Sequence, residues 1–199
     1  LFYNDKKLVD KLHVEFKFGC SQISKLPQIL SLSAKTSHLF PESYPEFYYN
    51  HFLDSYLELD DNLQHIQKPS LQEYMKYIGQ IYYQKHTFFQ TLKDCENFKT
   101  NEKFQVVNKS IQKYYDTYIG KLDVDELCVK LKKSQTDKIY FLWNNGKFHV
   151  DTISIGEVLP DSFRVINNTY IFKTTSGVLI HWRNHKGILN PAYQISIKY

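Results

Sequence analysis

The hydrophobic period of this chain changes twice, and that order limits the folds open to it. Residues 1 to 18 alternate apolar and polar side chains. Residues 21 to 134 repeat their apolar positions at spacings of three and four, and residues 138 to 199 return to alternation. A period of two marks a strand with one buried face, and a period of 3.6 marks a helix with one buried stripe. There is no internal repeat and no linker-like stretch. One α+β domain over 1–199 is therefore expected: a hairpin in 1–20, a helical block in 21–134 and antiparallel strands in 138–199.

The opening block reads as "LFY", a turn at "NDKK", and one long second strand, "LVDKLHVEFKF". In that strand Leu8, Asp10, Leu12, Val14, Phe16 and Phe18 share a face. Val9, Lys11, His13, Glu15 and Lys17 share the other. The first face is the one expected to receive a helix. The second is polar and presents the charges.

Helices are expected in "SKLPQILSLSAK", with Ser24 as cap and Pro27 in the first turn, and in "YPEFYYNHFLDSYLEL". "KPSLQEYMKYIGQIYYQK" opens with a capping box, Ser70 with Glu73. "EKFQVVNKSIQKYYDTYIGKL" and "DVDELCVKLKKS" complete the block. Beyond it, "KIYFLWNNGKFHVDTISI" predicts a hairpin turning at Asn144-Asn145-Gly146. A second pair bends at Asn167-Asn168, and "PAYQISIKY" closes the chain.

Totals exclude several classes. The net charge of +4 permits a nucleic-acid partner without requiring one. Cys20, Cys95 and Cys128 are too few and too dispersed for a disulfide framework or a CxxC metal pair. A reducing, intracellular and cytoplasmic location follows as the expectation. No apolar run nears the ~20 residues that span a bilayer, so no membrane partner is expected. The chain has 16 Tyr and 14 Phe, and clusters such as "EFYYNHF" and "QIYYQKHTFF" could stack on flipped or single-stranded bases, but their helical spacing favours core packing. A chain that opens at Leu1 on a strand pattern reads as a fragment lacking upstream residues.

Glu15 and Lys17, two apart in a strand, point the same way. They are either a solvated pair worth a few tenths of a kcal/mol or a catalytic carboxylate and its partner. Asp5 sits ten residues earlier, at the expected turn. Two carboxylates brought close repel each other, and a shared divalent cation relieves this. Mg²⁺ suits few protein carboxylates plus water and a phosphate oxygen. A bound metal acidifies water, and a neighbouring lysine orients that water or stabilises charge on phosphorus.

The stretch "NDKKLVDKLHVEFKF" resembles the active-site hairpin of the PD-(D/E)xK nuclease superfamily, which includes type II restriction endonucleases. Asn4-Asp5 falls where that family has Pro-Asp, and Glu15-Phe16-Lys17 falls on its Glu-x-Lys. The resemblance covers about fifteen residues. It implies a restriction-endonuclease-like core and a Mg²⁺-dependent hydrolase that cleaves double-stranded DNA. Asp5 and Glu15 would be its metal ligands and Lys17 its catalytic lysine. Symmetric cutting of a palindrome implies a homodimer. An RNA or DNA-end nuclease of the same superfamily, and a non-catalytic nucleic-acid- or protein-binding domain, remain as alternatives. Asp10 rivals Asp5 only if a bulge shifts the register.

Two further stretches are candidates for DNA contact. In "HWRNHKG", Arg183 and Asn184 suit base edges, and His185 and Lys186 suit phosphate. The other reading is a polar turn. In "VKLKKSQTDK", Lys132 and Lys133 either meet phosphates or complement a helix C-terminus. His181 and His185 lie about 13 Å apart if on one strand, too far to share zinc.

Overall fold

A computed structural model describes residues 2–4, 7–10, 13–22, 30–79, 85–94, 101–151, 163–166, 169–172, 176–182 and 191–197. They form an α+β structure. Strands β1 (Phe2–Asn4) and β2 (Lys7–Asp10) pair antiparallel, as the opening alternation predicts. The expected long second strand is instead two. β3 (His13–Phe18) belongs to another sheet, in the order β3-β5-β6, and its partner β5 (Lys138–Asn144) runs parallel to it. A parallel pair needs a long crossover. Here the helical block supplies it, entering after β3 and leaving into β5.

Gly19 makes the exit. Its φ of 73° is one that L side chains rarely adopt. In that conformation the Gly19 and Cys20 amides both donate to the Trp143 carbonyl, at 2.7 and 3.3 Å, so the chain stays bonded to β5 while turning away.

One predicted helix is a strand. Residues Leu30–Ser33 form β4, which pairs antiparallel with β10 (Pro191–Ile197). "LSLS" alternates with period two, and pairing with β10 selects the strand over the proline and serine signals upstream. Ser24 and Pro27 lie outside the described residues. Helices then follow as α1 (Tyr44–His51), α2 (Leu53–Leu57), α3 (Asp61–Gln64) and α4 (Leu71–Tyr77). Next come α5 (Thr87–Asp94), α6 (Asn101–Tyr118) and α7 (Val124–Gln135). The caps are side chains of the expected type. Ser70 accepts from the Glu73 amide at 3.3 Å, Asp60 from Asn62 at 3.0 Å, and Asp123 from Glu126 at 2.8 Å. The "YPEFYYNHFLDSYLEL" helix breaks at Phe52, whose φ and ψ are −134° and −20°.

The hairpin of β5 with β6 (Lys147–Asp151) is the predicted one. Asn144 pairs with Lys147, leaving Asn145 and Gly146 as the two turn residues at φ 48° and 76°. Both positive values match the two-residue turn whose twist suits flanking strands. β7 (Phe163–Ile166), β8 (Thr169–Phe172), β9 (Ser176–Trp182) and β10 continue antiparallel in the order β4-β10-β9-β8-β7. The Asn167-Asn168 bend lies outside the described residues.

Tyrosine dominates the core. Tyr44, Tyr48, Tyr74, Tyr114, Tyr115, Tyr140 and Tyr193 are all fully buried. The Tyr114 ring lies 5.0 to 5.3 Å from those of Phe40, Tyr44, Phe47 and Tyr118. Buried hydroxyls need partners, and Tyr114 meets this by bonding to the Glu42 carbonyl at 2.6 Å and the Tyr193 hydroxyl at 2.9 Å. Tyr193 comes from β10, so this contact fastens the five-stranded sheet to α6. The assignment of "EFYYNHF" to the core holds at Phe47 and Tyr48, and that of "QIYYQKHTFF" at Phe88 and Phe89.

Candidate active site

The parallel register sets which β3 and β5 side chains share a face. Glu15 pairs with Tyr140, Lys17 with Leu142, and His13 with Lys138. Tyr140 and Leu142 are fully buried in the main core. The face bearing Glu15 and Lys17 is thus the one that looks toward the helical block, with the pair at its rim. The expectation for the apolar face is reversed: Val14, Phe16 and Phe18 are 38%, 60% and 81% exposed. β5 decides this. Its two faces are both apolar, and the Tyr140–Leu142 face is the one that packs inward.

Glu15 carries three members of an ionic cluster together. Lys17 Nζ lies 2.5 Å from one carboxylate oxygen, and Lys138 Nζ lies 2.6 Å from the other. Partial burial acts against charge on Glu15. Hydrogen bonds from Lys138 and Lys17 outweigh it and hold the carboxyl below its ordinary value. Lys138 also stands 5.3 Å from the centre of the Tyr140 ring. The Tyr140 hydroxyl donates to Gln135 at 2.9 Å. Burial, together with the Glu15 charge, pushes that phenol well above its usual value. One carboxylate and two ammonium groups leave these described groups net positive and half-buried.

Of the predicted catalytic residues, the structure brings Glu15 and Lys17 together. Asp5 lies outside the described residues, and the neighbour of β3 is β5, not the β1 strand that precedes Asp5. Asp10 is in β2, in a different sheet from Glu15. Lys138 went unassigned in the sequence. Its signal is there in hindsight: it ends the basic run of "VKLKKSQTDK" and opens the alternation of "KIYFLWN". Lys132 and Lys133 are exposed in the last turn of α7, where they complement the helix dipole. Arg183, Asn184, His185 and Lys186 lie outside the described residues.

The fit to Mg²⁺ can be judged from the donors. A carboxylate oxygen is the right kind of ligand. Among the described residues, though, no group of three or more His, Cys, Asp or Glu converges. Among the described side chains Glu15 is the single acid of its cluster, and both of its oxygens hold lysines. The described residues therefore do not make a cation site by themselves.

A separate cavity of about 190 Å³ lies between the loop after β4 and the start of α1. Lys35, His38, Glu42 and Glu46 are among its lining residues, and no predicted site residue is. Among the described residues no helix is long and apolar enough to cross a membrane. No protein-family model, curated protein or solved structure matches the chain.

Proposed function

We propose that this chain is a restriction-enzyme-like nuclease that hydrolyses phosphodiester bonds in double-stranded DNA. The observation that carries the reading is the pairing of Glu15 with Lys17 on one face of a strand, joined from β5 by Lys138. Two ammonium groups beside one carboxylate suit a scissile phosphate. Lys138 and Lys17 would draw in the phosphate and offset the charge that builds on phosphorus, and Glu15 would hold both in position. Lys17 would also orient the attacking water. Mg²⁺ belongs to the proposal through the family resemblance, as an added requirement that the described residues do not meet. Lys132 and Lys133, at the end of the helix that leads into β5, would meet the DNA backbone.

A second reading has its own support. Both Glu15 oxygens are taken up by lysines, as in a structural ion network of a nucleic-acid- or protein-binding domain. Incubation with supercoiled plasmid, linear duplex and structured RNA, each with and without Mg²⁺, separates the readings. The nuclease reading expects Mg²⁺-dependent nicking or linearisation of plasmid. It also expects Glu15→Gln and Lys17→Met to lower the rate by about 100-fold or more with DNA binding retained. Binding without cleavage under every condition selects the second reading. Preference for RNA, or for DNA ends, assigns the chain to a different substrate with the same cluster.

A further inference from the structure

The cavity between the loop after β4 and the start of α1 carries charge that the fold itself does not use. Lys35 lines it and is half-buried, yet among the described residues it is in no ion pair. Its ammonium has one long contact, to the Ile78 carbonyl at 3.5 Å. Burial without a counter-charge pulls that ammonium below its ordinary value. Glu46, in the first turn of α1, also lines the cavity and is likewise in no ion pair among the described residues. Glu42 is occupied: Tyr118 donates to one carboxylate oxygen at 2.5 Å and Asn50 to the other at 3.3 Å. Burial, the Glu42 hydrogen bond and the Glu42 and Glu46 charges push the Tyr118 phenol up to about 12, so both carboxylates gather near the end of α6.

Two hydroxyls in the same lining are also without partners. Ser37 is 3% exposed and Ser43 stands at the N-cap of α1, yet neither Oγ has a hydrogen-bond partner, and Ser43 makes no cap bond. Buried polar atoms are nearly always satisfied, so each such group calls for an explanation, and a polar ligand is one. A single χ1 rotation turns a serine hydroxyl toward a new partner. Leu39, Phe40, Met75 and Tyr193 add apolar lining. These walls are anchored from outside. The Leu39 carbonyl accepts from the Asp123 amide at 2.8 Å, and the Glu42 carbonyl from the Tyr114 hydroxyl at 2.6 Å. Largely pre-formed walls of this kind are usual in small-molecule sites.

Size and charge decide what the cavity fits. Its volume of about 190 Å³ holds about six to ten non-hydrogen atoms at ~20–30 Å³ each. That is well under the roughly 300–1,000 Å³ of sites for drug-sized ligands, and it is too small for a nucleotide. Among the described residues no three His, Cys, Asp or Glu converge, so its acids do not make a metal site. An anion alone would leave Glu46 unpaired, and a cation alone would leave Lys35 unpaired. A molecule carrying both charges answers both. We propose that the cavity binds a free aliphatic α-amino acid the size of valine or leucine, with its carboxylate on Lys35, its ammonium on Glu46 and its side chain against Phe40, Met75 and Tyr193. The Ser37 and Ser43 hydroxyls donate to the carboxylate or accept from the ammonium. Glu15, Lys17 and Lys138 are not in the lining, so this site is independent of the nuclease reading.

Isothermal titration calorimetry of the whole chain, without DNA or Mg²⁺, tests this. The probes are valine and leucine, with isoamylamine, isocaproate and inorganic phosphate as ligands of one charge. One of the two amino acids is expected to bind with a Kd of about 1 mM or tighter, and every single-charge probe about 10-fold or more weaker. Lys35→Met and Glu46→Gln, with circular dichroism to confirm folding, are each expected to weaken amino-acid binding by about 10-fold or more. No binding of either amino acid up to about 10 mM overturns the proposal. An amine, acid or phosphate that binds as tightly as the amino acid overturns it too, and makes the cavity a site for one charge. Folded variants that bind like the wild type place any binding elsewhere and reject the cavity. If neither variant folds, the comparison of probes on the wild type decides.

Discussion

The ion pair between Lys103 and Asp60 shows how much one charged side chain can hold in place. Lys103 is 4% exposed, yet its ammonium lies 2.5 Å from Asp60, whose other role is to cap α3 through the Asn62 amide. The pair therefore ties α6 to the start of α3. Lys103→Met strands a mostly buried carboxylate, and a loss of about 2–4 kcal/mol in urea unfolding is expected. The pH dependence has a definite sign. Lys103's hydrogen bond lowers the Asp60 carboxyl below its ordinary 3.8, burial opposes this, and the Asn62 amide adds to the lowering. A depressed acid stabilises the fold above its unfolded value and ceases to do so as pH falls through the folded value. Wild type and variant should thus differ most near neutrality and converge in strong acid. At this scale the sequence was half-readable. Spacing alone placed Glu15 and Lys17 on one face. The reach of Lys138 to Glu15 depends on a parallel register between residues far apart in the chain, which no local pattern encodes.

At the scale of elements, caps and turns were the most legible features because their chemistry is local. Ser70 and Asp123 act as helix caps, and Asn145-Gly146 as a hairpin turn, through side chains or backbone angles within three residues. Gly146→Ala tests the turn. Space is not the obstacle, since a Cβ there meets nothing within 4 Å, but φ is 76°. A loss of about 1 kcal/mol is expected from thermal unfolding, with the helices unaffected. What failed was the assignment of β4 to a helix and of the inner face of β3. "LSLS" is short, and its strand character is fixed by pairing with β10 at the other end of the chain. For β3, alternation identified the two faces correctly but could not say which would be covered. That was settled by Tyr140 and Leu142 of its neighbour.

The whole molecule is knit together by contacts between its ends. β3 pairs with β5 across the whole helical block, and β4 pairs with β10 from still farther along. Such pairings impose loop-closure entropy before they return any contact energy. Stopped-flow refolding is accordingly expected to take milliseconds to seconds or longer, not the microseconds of helical bundles. The order strand, helix, strand was legible because period survives in any fold. The arrangement of strands into sheets was not, because it is a property of distant partners.

Between α7 and β5 there are only Thr136 and Asp137. Thr136 is bonded back to the Lys132 carbonyl through both its amide and its hydroxyl, and Asp137 sits at φ 56°. Two residues span at most ~7 Å, so this joint has almost no slack. The helix end bearing Lys132 and Lys133 and the strand whose first residue grips Glu15 are mechanically coupled. A load on those solvent-facing amines is transmitted to the carboxylate as strain, as through a short tether, with little taken up on the way.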